Sequence, residues 1–132
     1  MQEINVYVKG VVYQNKGKGF ALSAWAVKGE PVHYIEHENE SAYGAEWQAM
    51  YNAIESLGRE DTILHVFSNQ KAMIDKLNRN QYEDHTKQLI TPKGIVTVCD
   101  FVWEPLKECS ANLFRLREMA MREVEKRGKA RV

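Results

Sequence analysis

Apolar and polar residues alternate over 4–13, with Ile4, Val6 and Val8 on one side and Asn5, Tyr7 and Lys9 on the other. A period of two predicts a strand, which Val11 and Val12 extend. Gly17-Lys18-Gly19 reads as a turn, 20–27 as a second strand, Lys28-Gly29-Glu30-Pro31 as a second turn and 32–38 as a third strand. Three strands joined by short turns form an antiparallel meander.

The period then changes. Over 41–57, Ala42, Ala45, Ala49 and Ala53 recur at spacings of three and four, a stripe of small residues that lets a helix lie close to a sheet. Ser41 is its expected N-cap. Glu46 borders the stripe, and a carboxylate at the edge of a buried face requires a partner. A fourth strand is expected over 62–67, a second helix over 69–77 capped by Ser68, and an irregular loop over 78–94, broken at Pro92-Lys93-Gly94. A fifth strand over 95–103 stops at Pro105. The last helix spans 112–126, with Leu113, Leu116, Met119, Ala120 and Val124 on one face, and 127–132 reads as a frayed basic tail. The order β-β-β-α-β-α-β-α predicts one α/β domain over 1–132. Its five-stranded mixed sheet would combine the antiparallel meander with parallel first, fourth and fifth strands, and carry helices on both faces.

Composition narrows the function classes. With 132 residues, 44% of them hydrophobic, the chain can bury one core. Eighteen basic and eighteen acidic residues cancel, so no global field draws it to nucleic acid or to an anionic membrane. No apolar run has the length of a membrane span and the start lacks a signal-type pattern, so no membrane partner and a cytoplasmic location are expected. Cys99 and Cys109 are not clustered and read as reduced thiols. His33 and His37 share a strand face but stand four residues apart, beyond a common ion, and read as polar surface. His65 and His85 stand alone and receive no role. Ser68 has no histidine at a spacing that would make it a nucleophile.

Several short motifs occur in a telling order. Lys9-Gly10 leads into Asn15-Lys16-Gly17-Lys18-Gly19; Ala45-Glu46-Trp47 lies in the first helix; Ser68-Asn69-Gln70 follows the fourth strand; Trp103-Glu104 closes the fifth. In this order and spacing the chain resembles the ribonuclease H family, specifically its bacterial type I members, over about residues 4–125 except for 78–94. The resemblance implies a ribonuclease H-like fold. In the family four carboxylates hold two divalent metal ions that hydrolyse the RNA strand of RNA–DNA hybrids. Carried over by position, those carboxylates fall on Lys9, Glu46, Ser68 and either Arg117 or Leu116, and the family's mobile-loop histidine falls on Cys109. Only Glu46 remains an acid, so the resemblance implies a degenerate member without a metal site or cofactor; Mg2+ would be required only if the site were rebuilt from other acids such as Asp61, Asp84 or Asp100. Lys9 is then expected to put its ammonium where a cation would lie, paired with Glu46.

Three readings follow. An inactive relative would bind RNA–DNA hybrid or other structured nucleic acid, or a protein. The phosphate-contacting candidates are Lys16, Lys18, Arg115 and Arg117, with Gln70 matching a minor-groove position of the family. A second reading is an active nuclease with a rebuilt metal site. A third is a protein-binding or homodimerising subunit that uses Trp25, Trp47 and Tyr51.

Overall fold

The computed structural model describes residues 2–15, 18–79, 86–90 and 94–131, without the side chains of Asn15, Lys18, 86–90 and Val96. Strands β1 (Gln2–Asn15), β2 (Lys18–Val27) and β3 (His33–Glu38) form the expected meander. They are followed by α1 (Ala42–Leu57), β4 (Thr62–Ser68), α2 (Lys71–Asn78), β5 (Thr86–Ile90), β6 (Val96–Trp103) and α3 (Ala111–Ala130). The sheet order is β3-β2-β1-β4-β6-β5. β1, β4 and β6 are parallel, with Tyr7 opposite Phe67 and Ser68 opposite Trp103.

The alternation in β1 does what its period implies. Val6 and Val8 are fully buried under α1 and α2, in a layer with Leu64, Val66, Cys99 and Phe101, while Tyr7 and Val11 face α3 with Phe20, Leu22 and Ala24. Ala45, Ala49 and Ala53 have no exposed surface, so the small-residue stripe brings α1 close to β1 and β2. The approach is tightest at Gly10, where a Cβ would lie 2.1 Å from the Ala42 carbonyl oxygen and 2.4 Å from the Glu46 amide nitrogen. Beside it, the Ser23 hydroxyl donates to the Ala45 carbonyl at 2.6 Å. Ser41 caps α1 as expected, its hydroxyl accepting the Gly44 N–H at 2.9 Å.

Three expectations are corrected. The 78–94 segment is not wholly irregular: 86–90 forms a sixth strand, antiparallel to β6 at the sheet edge. Ser68 does not cap α2. It ends β4, and α2 begins at Lys71 after Gln70, whose side chain makes no capping bond. The tail is not frayed from 127: α3 runs to Ala130, and Arg127 and Arg131 reach Glu36 on β3 at 3.1 and 2.5 Å. Gly128 permits this, because a Cβ there would lie 2.4 Å from the Tyr13 ring.

Candidate functional site

β4 ends at Ser68 while its neighbour β1 continues past Tyr7 through Lys9 and Gly10. The carboxyl ends of the parallel strands β1 and β4 meet there, and in an open α/β sheet the crevice outside such ends is the usual place for a site. α1 crosses this opening and lowers Glu46 into it. The carboxylate has no exposed surface, and both of its oxygens are engaged. Oε1 accepts the Gly10 N–H at 3.0 Å and lies 3.7 Å from the Lys9 ammonium. Oε2 accepts the hydroxyl of Ser68, which is itself buried and accepts the Gln70 N–H at 2.9 Å.

Burial pushes the Glu46 carboxyl above the ordinary carboxylate range; the Lys9 charge, the Ser68 hydroxyl and the backbone N–H groups of Gly10 and Gln70 pull the other way. The Lys9 side chain is only 11% exposed, so it is largely buried beside Glu46 rather than extended into solvent.

This arrangement does not fit a two-metal centre. Hard cations need several anionic oxygens, and two adjacent dications need more to offset their repulsion. Among the described residues no group of three or more His, Cys, Asp or Glu side chains could hold a metal ion. Leu116 is buried in the α3 core, and the Arg117 guanidinium pairs with Glu118 at 3.4 Å; neither offers an anionic oxygen. Asp100 is engaged by His65 at 2.9 Å, and an Asp61 oxygen accepts the Thr62 hydroxyl at 3.2 Å. Asp84, His85 and Lys16 lie outside the described residues, as does the Lys18 side chain. Cys109 is a free thiol directed at the Leu106 carbonyl at 3.7 Å.

Polar groups cluster where β4 and β6 end. The Asn69 amide donates to the Glu104 carbonyl at 2.9 Å, and the Trp103 indole donates to the Asn69 carbonyl at 3.0 Å. Lys71 lies over the half-exposed Trp103 ring and pairs with Asp75. Gln70 is partly exposed at the start of α2, and Arg115 is exposed on α3. Of the aromatic residues proposed for protein contact, Trp25 is excluded: it is 3% exposed, stacked on His33 and bonded through its indole N–H to Asn52. Trp47 and Tyr51 do reach the surface of α1, where Tyr43 joins them in a ladder of rings 6.3 and 5.8 Å apart.

A second polar cluster gave no signal in the sequence. His65 on β4 bonds Asp100 on β6 through Nδ1 and Glu3 on β1 through Nε2, each at 2.9 Å. Burial opposes a charge on the imidazole, but the two carboxylates outweigh it and raise the His65 pKa.

No family model matches the chain, and no curated protein matches it. By structure it is similar to a ribonuclease H1 isolated from compost by a metagenomic approach, with a TM-score of 0.58 and 17% sequence identity. The match covers 96% of this chain and 98% of that one. The fold is ribonuclease H-like, and no helix among the described residues is long and apolar enough to cross a membrane.

Proposed function

We propose that this chain is a non-cleaving ribonuclease H-like domain that works as a binding module for structured nucleic acid. The observation that carries the reading is the Lys9 ammonium 3.7 Å from Glu46, with the Ser68 hydroxyl on the other carboxylate oxygen. The crevice's acid is thereby engaged from within, and a cation arriving there would meet an ammonium instead of a ligand. The rebuilt-nuclease alternative needs acids that the described residues do not bring to Glu46.

Binding would rest on the cationic and polar candidates Gln70 and Lys71 at the start of α2, Arg115 on α3, and Lys16 and Lys18 of the glycine-bracketed segment, of which Lys16 and the Lys18 side chain lie outside the described residues. Arg117 contributes less, because Glu118 neutralises it. The lysine and arginine contacts go to the sugar–phosphate backbone, which makes binding salt-dependent and indifferent to sequence. A protein partner is the second reading, supported by the ladder of Tyr43, Trp47 and Tyr51, in which the two tyrosines are exposed and Trp47 is partly buried.

The test pairs a cleavage assay with a gel shift on a labelled RNA–DNA hybrid, in Mg2+ and in Mn2+. The reading expects an intact hybrid and a shift that weakens steeply as salt is raised. Cleavage that disappears in Glu46→Gln would overturn inactivity. An unshifted hybrid at low salt would transfer the function to a protein partner.

A further inference from the structure

We propose that the groove between the β2–β3 turn and α3 binds a small amphipathic anion, an apolar or aromatic body carrying a carboxylate, phosphate or sulfonate. The groove encloses about 290 Å³. That is at the lower end of ligand-binding cavities. Its walls are apolar where Val32, Leu116 and Met119 meet, while Lys28 and Arg115 stand at the rim.

Two features point to a negative head group. Neither Lys28 nor Arg115 has a carboxylate partner among the described residues; Glu30 is the acid on the same rim and pairs with neither. At the base of the groove the Tyr7 hydroxyl is part of a side chain only 5% exposed, and it accepts the Asn112 amide at 3.4 Å. Its own proton has no acceptor among the described residues, so the hydroxyl can donate into the groove that Tyr7 lines. An anionic oxygen in the groove would accept that proton and lie between two cations, and its apolar body would cover Met119 and Val32. Arg is suited to such a head group because its planar fork matches carboxylate and phosphate oxygens.

The proposal does not rest on nucleic-acid binding and competes with it for Arg115. The probe is 1-anilinonaphthalene-8-sulfonate, followed by fluorescence and by amide NMR shifts, with phenyl phosphate as competitor. Saturable binding of one dye per chain is expected, displaced by phenyl phosphate, with the largest shifts at Gly29 and the Asn112 side chain. The combined substitution Lys28→Gln and Arg115→Gln should weaken the dye at least about tenfold, the loss expected for charge-assisted hydrogen bonds. Arg122→Gln, outside the groove, should leave it unchanged. Full-strength binding in the double variant, shifts confined to the α1 aromatic ladder, or displacement by an RNA–DNA hybrid but not by phenyl phosphate would each overturn the proposal. The hybrid gel shift is read separately, so either idea can fail alone.

Discussion

The Lys9 ammonium lies 3.7 Å from Glu46 Oε1, and the two side chains are 11% and 0% exposed. Each is the other's reason for being tolerated there. Removing one partner of a buried pair leaves an uncompensated charge, whereas removing both need not cost stability. Lys9→Met alone should therefore destabilise the fold by about 3 kcal/mol, while Lys9→Met combined with Glu46→Gln should recover most of that loss. Urea denaturation of the two single variants and the double variant gives the coupling; additive losses would show that the pair is not a unit.

Gly10 makes the same site possible through the backbone. Its N–H holds Glu46 at 3.0 Å, and a Cβ would fall 2.1 Å from the Ala42 carbonyl. Backbone cannot step aside as a flexible side chain can, so Gly10→Ala should lift α1 from the sheet. A loss of about 3 kcal/mol or more, or failure to fold, is expected. Gly29→Ala, where nothing lies within 4 Å but φ is +81°, should cost only about 1 kcal/mol, from the strained backbone. Thermal unfolding of the two variants ranks them.

What could be read from the chain followed its periods. The alternation of Ile4, Val6 and Val8 and the Ala45, Ala49 and Ala53 stripe each have one structural solution, and they fixed the sheet and α1. The 86–90 strand gives little signal, because Thr-Lys-Gln-Leu-Ile has no clear alternation and sits in a polar surround. The last turn of α3 has no apolar signature, because its support is charge and ring contact rather than apolar spacing. Ser68 resembles a cap because a serine before a helix usually is one, and its bond to Glu46 arises only once the fold brings β4 and α1 together. His65 was invisible for the same reason: its partners are 35 and 62 residues away and meet only in register.

That histidine makes stability depend on pH. A histidine whose pKa is raised by folding stabilises fully below its unfolded value, and the contribution is lost as pH rises through the folded value. Comparing the parent with His65→Asn, the difference in Tm should be larger near about pH 6 than above about pH 8. An imidazole NMR titration should place His65 above an ordinary histidine. A Tm difference that is flat across this range, or grows with pH, would contradict the charged-imidazole reading.

The end of α3 is held by contacts that helix propensity does not supply. Arg131 pairs with Glu36 at 2.5 Å and Glu38 at 2.8 Å, and its guanidinium lies 3.9 Å from the Phe20 ring centroid. Arg127 pairs with Glu36 as well and sits over Tyr34. Both glutamates lie on edge strand β3, so these ion pairs couple the helix end to the edge of the sheet. Exposed pairs contribute little to global stability, but they govern local opening. Arg131→Ala should therefore leave the unfolding midpoint nearly unchanged while hydrogen exchange accelerates in the last turn of α3 and along β3. Raising salt should mimic part of this in the parent and add less in the variant, where the Arg127–Glu36 pair remains to be screened. Unchanged protection in both segments would mean that the Gly128 contact with Tyr13 secures the helix end without the arginine.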